Sequence, residues 1–173
     1  MSWTNGPITV YHGTDSLSGN AIRLSGLNPG RFNPKTDFGS GFYVTTSLHQ
    51  AQQWANTRCR PTTHLNPEVL EYHLLRDVIE GLSHLTFIMD TTDYHEFVEY
   101  CRPGQPNHGP PPRSIPYDVV YGPVRLWPQR IVLANCDQIL FTDPAKLRDP
   151  QGLGRDFSRP NRTIRPSAPN RFF

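Results

Sequence analysis

The stretch DFGSGFYVTTSLHQAQQWA, residues 37–55, decides how this chain is read. Its middle, GFYVT, is aromatic and β-branched and predicts a short strand. Ser47 then offers a side-chain oxygen to cap a helix, SLHQAQQWANTRC, along which Leu48, Ala51 and Trp54 with Ala55 recur on one face. A strand feeding a helix in this way lets Tyr43 and Trp54, eleven residues apart, face each other across a gap. The ordinary fate of two such aromatics is burial in a core; the less ordinary one is a slot for a flat ring.

Outward from that stretch the chain alternates short strands and few helices. ITVY (8–11) reads as a strand ending at His12-Gly13, and SGNAIRLS (18–25) as a short helix with Ser18 at its N-cap and Gly26 as its stop. Residues 28–37 are rich in Pro, Gly and Asn and predict a loop. Strands are expected over 69–75, 85–89, 117–124, 130–134 and 138–142; YHEFVEY (94–100) fits a helix or a strand, and DPAKL (143–147) starts a helical turn. NHGPPPRSIP (107–116) is too proline-dense for either regular structure. The fold class is therefore α+β, a largely antiparallel, split sheet with short flanking helices. Residues 1–147 form the expected folded domain and 148–173 an Arg/Pro-rich, flexible tail.

Charge sharpens that division. The whole chain of 173 residues carries +2, but residues 148–173 hold six Arg against Asp149 and Asp156, so the preceding part is near −2 and its total charge does not draw it to nucleic acid or membrane. Only Lys35 and Lys146 among the 17 basic residues are lysines, and guanidiniums suit phosphate and ring faces. Cys59, Cys101 and Cys136 are odd in number and widely spaced, which implies neither a disulfide framework nor a metal site. The N-terminus shows no basic leader before an apolar run, and no window approaches a membrane span. The expectation is a soluble protein, cytoplasmic or delivered as an effector without a cleaved signal peptide.

Two residues stand out physically. A strand end at His12-Gly13 frees one N–H and one carbonyl beside a residue without a side chain, a complement to a planar carboxamide. Gln138 is a polar residue in an apolar strand, and a buried amide is costly unless several hydrogen-bond partners surround it.

Taken together, YHGT (11–14), SGL (25–27), FGSGFY (38–43), Trp54 and QILFTD (138–143) resemble the catalytic domain of ADP-ribosyltransferases, in the diphtheria-toxin and poly(ADP-ribose)-polymerase-like branch with its His-Tyr-Glu signature. The layout resembles more closely the microbial DUF3990-type transferase-like domains, which place Gln third. The resemblance covers residues 10–147, strongest at its ends. It implies that NAD is the co-substrate and that no metal is needed. His12, Tyr43 and Gln138 take the catalytic positions; His12 reaches a ribose hydroxyl of the adenosine half, Gly13 holds the nicotinamide amide, and Thr14 adds a hydroxyl nearby. Tyr43 and Trp54 sandwich the ring, although the family's second wall is usually Tyr. Arg31 and Lys35 are candidates for the NAD phosphates. Ala51 stands where relatives often place Ser, and Cys136 where arginine-modifying relatives place Glu, which weighs against an arginine acceptor.

The implied reaction is cleavage of the nicotinamide–ribose bond through an oxocarbenium-like transition state. Gln138 can orient a ribose hydroxyl, but it supplies no charge and no general base, so a single transfer is expected rather than polymer growth. The leading expectation is a mono-ADP-ribosyltransferase, as a toxin or effector, acting on a macromolecule, a protein ahead of a nucleic acid; Arg125, Trp127 and Arg130 are the residues that favour the latter. An immunity or host partner is compatible with it. An NAD glycohydrolase and a catalytically weak module that binds NAD or ADP-ribose are the alternatives.

Overall fold

The computed structural model describes residues 6–60, 64–109, 115–147 and 159–166. In chain order its elements are β1 (Ile8–Asp15), α1 (Ser16–Ser25), β2 (Phe42–Val44), α2 (Leu48–Cys59), β3 (Pro67–Leu74), α3 (Arg76–Glu80), β4 (His84–Thr86), α4 (Thr92–Cys101), β5 (Val119–Arg125), β6 (Val132–Phe141) and β7 (Arg162–Ile164). Single 3₁₀ turns occupy Pro29–Arg31 and Pro144–Leu147. The strands form two sheets, ordered β1-β3-β7 and β2-β6-β5-β4. The fold is α+β with mostly antiparallel pairing, and only β4 with β5 runs parallel among the registers described. The chain folds into two compact units: residues 1–27, 44–81 and 145–173 make the first, residues 28–43 and 82–144 the second.

In the first unit β1 pairs with β3 over its whole length, from Ile8 opposite Leu74 to Asp15 opposite Pro67. The strand therefore continues three residues past the expected end at His12. What stops it is Asp15, whose extended backbone and side chain cap α1: Ser18 N–H donates to Oδ1 (2.7 Å) and Ser18 Oγ to Oδ2 (2.9 Å). Ser18 is thus the residue being capped rather than the cap. At the far end Gly26 adopts φ 76° and returns its N–H to Ile22.

Helix α2 is capped by Ser47, which accepts from Gln50 N–H, and buries Ala51, Ala55 and Cys59, one residue per turn. These small side chains, with Val69 of β3, let the helix backbone settle onto the sheet; Tyr11, Leu48 and Ile164 close the cluster. Part of the supposed tail is structured. Ile164 lies opposite Val69 and Arg162 opposite Glu71, so β7 covers the second edge of β3. Buried Glu68 and Glu71 supply the anchorage that β7's composition lacks: Arg162 pairs with Glu71, and Glu68 is held by Arg23 (2.7 Å). Residues 148–158 and 167–173 lie outside the described set.

The second unit is built around Phe38, fully buried, with Tyr43 stacked 6.3 Å away and Tyr94 and Phe97 presenting edges at 6.3 and 6.0 Å. YHEFVEY is helical: α4 buries Tyr94, His95, Val98 and Cys101, and Thr91 caps it. The two strands expected over 130–134 and 138–142 are one, β6. Its register against β5 jumps from Asp137 opposite Pro123 to Val132 opposite Arg125, and Asn135 within the jump has φ 56°. The gap expected between residues 134 and 138 is a bulge, not a strand break. Helix α3, without a side-chain cap, has no sequence signal of comparable strength.

Candidate functional site

The candidate residues divide between the two units. His12, Gly13, Thr14 and Trp54 belong to the first, Arg31, Tyr43 and Gln138 to the second.

In the first unit the geometry centres on Gly13. Tyr11 exchanges both backbone hydrogen bonds with Thr45, N–H to carbonyl at 2.8 Å and carbonyl to N–H at 2.9 Å. In an antiparallel ladder alternate residues turn their backbone groups to opposite sides. Tyr11 and Gly13 therefore aim theirs away from β3, while His12 and Thr14 aim theirs toward it. The bridge to Thr45 is a single residue pair, so the Gly13 N–H and carbonyl point along an edge where no described residue takes them up. A buried strand residue with an unspent donor and an unspent acceptor on one side presents the same pair of groups that a neighbouring strand, or a carboxamide, would use.

Helix α2 lies directly on this position. A Cβ added to Gly13 would sit 2.2 Å from the Ala51 carbonyl oxygen and 3.1 Å from the Ala55 nitrogen. Only glycine fits, and Ala51, 1% exposed, packs at the contact. Trp54 is roughly 60° around the helix from Ala51, so its indole flanks the line of contact. It is 54% exposed, a large ring left in solvent on a helix that buries Ala51 and Ala55. His12, half-buried, and Thr14, 1% exposed, project from the opposite face of β1 to Gly13.

In the second unit the decisive residue is Asp37, to which the sequence alone assigns no role. It is 4% exposed and accepts four hydrogen bonds. Oδ1 takes Arg102 Nε (2.9 Å) and Nη2 (2.7 Å); Oδ2 takes the Arg125 backbone N–H (3.0 Å) and Gln138 Nε2 (2.8 Å). Gln138 spends its other amide proton on the Pro123 carbonyl (2.9 Å), which also accepts from the Tyr94 hydroxyl. Both partners of Nε2 are pure acceptors, so the orientation of the amide is fixed by chemistry, and among the described residues Oε1 has no donor.

The Tyr43 hydroxyl accepts from Phe38 N–H (2.9 Å), donates to the Gly39 carbonyl (3.0 Å) and meets Thr36 Oγ1 at 2.8 Å. Burial pushes its pKa up, so it is a neutral phenol that ties down the loop before β2, while its ring remains partly accessible. His108, buried, supports the same loop: its Nδ1 accepts from Tyr117 N–H, and Nε2 donates to the Phe38 carbonyl. Arg31 lies exposed at the end of its 3₁₀ turn.

Arg125, Trp127 and Arg130 hold the turn between β5 and β6. Arg125 is 4% exposed and donates to the carbonyls of His95, Pro128 and Gln129 and to Glu99. Arg130 forks onto the same Glu99 at 2.9 and 2.7 Å, and the two guanidiniums pull the Glu99 carboxyl down to about 2. Trp127 is flanked by Arg102 and Arg125, 5.3 and 5.0 Å from its ring centre. Among the described residues no cluster of His, Cys, Asp and Glu could hold a metal ion, and no helix is long and apolar enough to cross a membrane.

Residues 8–125 match the model of a family described as a protein of unknown function, DUF3990. The chain belongs to this family. The family span begins with β1, takes in Gly13, Asp37, Tyr43 and Trp54, and stops at Arg125, so Gln138 falls beyond it. A search of curated proteins returns no match.

Proposed function

We propose that this chain is an NAD-dependent mono-ADP-ribosyltransferase that breaks the nicotinamide–ribose bond and passes ADP-ribose to a macromolecule, in the manner of a toxin or effector. The observation that carries the reading is the Gly13 edge: a buried N–H and carbonyl, unspent among the described residues, under a helix that keeps Trp54 in solvent. A carboxamide takes up both groups at once, and an indole face beside it suits an aromatic ring. The roles of His12, Thr14, Arg31, Tyr43 and Gln138 toward NAD rest on the resemblance. Neutral nicotinamide leaves as positive charge builds on the ribose, and the role the resemblance gives Gln138 is to orient a hydroxyl of that ribose.

A protein acceptor is favoured over nucleic acid. Arg125 is buried with its donors spent on carbonyls and Glu99, and Arg130 forks onto the same Glu99, so the β5–β6 turn offers phosphates at most one exposed guanidinium, already paired. A second reading, binding of NAD or ADP-ribose with little chemistry, is favoured by Gln138 itself, which is 9% exposed and carries no charge.

Incubation with NAD labelled on its adenylate, beside candidate proteins and nucleic acids, tests the proposal. Label on a macromolecule is the expected result. Free ADP-ribose alone would instead make the protein a glycohydrolase, and NAD that quenches Trp fluorescence without being consumed would make it a binder. NAD that neither binds nor turns over sinks the reading.

A further inference from the structure

We propose that Asp37 is the positioning residue that makes glutamine, and not glutamate, the competent side chain at position 138. The inference rests on the proposed function only in what Gln138 Oε1 is turned toward; the coupling of Asp37 to position 138 stands on geometry inside one compact unit.

Asp37 takes four hydrogen bonds: two from guanidinium N–H of Arg102, one from the backbone N–H of Arg125 and one from an amide N–H of Gln138. At Gln138 the logic is inverted, because both groups that face Nε2, Asp37 Oδ2 and the Pro123 carbonyl, are acceptors. Only a side chain with two protons on one terminus and a bare oxygen on the other fits, with the oxygen turned away from Asp37. An ionised glutamate would set two carboxylate oxygens at about hydrogen-bond distance with no proton between them, in a place where Gln138 is 9% and Asp37 4% exposed. Arg102 does not relieve this, since its fork is spent on the opposite oxygen of Asp37. Where the signature resembled here carries Glu, this chain has a fixed acidic neighbour that excludes it.

Three further titratable groups face Asp37: the Tyr43 and Tyr94 phenols and the Cys101 thiol. Burial pushes all three up, the thiol to about 12, so between pH 5 and 8.5 they stay protonated. His95 faces Arg125 and Arg130, and its pKa is lowered by burial and by those charges. It is common to wild type and variants and cancels in their difference.

The experiment compares wild type with Gln138→Glu and Gln138→Ala, by thermal midpoint from pH 5 to 8.5 and by NAD turnover. For Gln138→Glu the folded state holds the carboxyl proton more tightly than the unfolded chain, so stability relative to wild type is lowest at pH 8.5 and recovers toward pH 5. Gln138→Ala shows a deficit that does not change with pH. At pH 8, Gln138→Glu keeps the KM for NAD and loses about 100-fold in kcat, the loss expected when a positioning group is displaced by about an ångström. A Gln138→Glu protein as stable as wild type at every pH, or one that gains turnover at pH 8, overturns the proposal. If the pH-dependent deficit appears while wild type neither binds nor consumes NAD, the coupling to Asp37 is supported and the transferase reading is the part that fails.

Discussion

Gly13 and Asp37 treat hydrogen bonding in opposite ways. At Gly13 a buried donor and acceptor face an edge with no described partner, held open because the next residue pairing toward Thr45 never forms. At Asp37 four donors converge from residues 65 to 101 positions away, and no capacity is left over. The difference separates two jobs that buried polarity performs. Spent capacity fixes geometry; unspent capacity is costly to leave so and calls for a partner, whether water or another molecule.

Gly13→Ala is the harshest test of that contrast. The new methyl would meet the backbone of α2 rather than a flexible side-chain end, and a loss of about 3 kcal/mol in urea unfolding is expected. An unchanged midpoint would mean that α2 does not rest on β1. Asp37→Asn comes next. Whichever way the new amide turns, one NH₂ faces Arg102 or the Arg125 N–H, and the loss should be about 2 kcal/mol. Near-neutrality there would dissolve the distinction between the two sites from the other side.

Trp54→Ala probes the open edge without touching its frame. Because the indole is 54% exposed, unfolding stability should stay within about 0.5 kcal/mol of wild type. NAD binding, followed by calorimetry, should weaken about fivefold, the equivalent of one lost stacking face. Equal affinity in the variant would take Trp54 out of the site.

The gentlest test is Glu99→Gln. Glu99 has its folded pKa lowered to about 2, so its pairing with Arg125 and Arg130 stabilises the protein above the ordinary carboxylate range and is lost as pH falls toward 2. The thermal midpoint of Glu99→Gln should therefore lie slightly below wild type at pH 7 and converge with it near pH 2. A gap that widened in acid would contradict the pairing.

What the sequence made legible is local. The Ser47 cap, the Ala51–Ala55–Cys59 stripe and the strand at β2 follow from residues within a turn or two of each other. Gly13 was legible as a residue whose missing side chain bares its backbone edge, but not as the place where a helix backbone fills the space of the missing Cβ. Asp37 was not legible, because its meaning lies in Arg102, Arg125 and Gln138, whose arrival depends on the register of β5 against β6. The Asn135 bulge and β7 failed for the same reason: residues 135–137 read as a gap between two strands until Asp137 is seen opposite Pro123 and Val132 opposite Arg125, and Arg-Thr-Ile reads as a tail until Glu71 and Val69 stand opposite it.

Strand β7 also sets a timetable. Strand β3 is sandwiched between β1 and β7, and its buried Glu71 meets Arg162 only when that arginine exists. During synthesis β1, α2 and β3 leave the ribosome early and wait, with one edge of the central strand bare, until Ile164 emerges. A nascent chain halted before that point exposes a strand edge able to pair with a neighbouring copy. Strand β7 is thus a seal against self-association, and the vulnerable interval lasts as long as translation of the residues between β3 and β7.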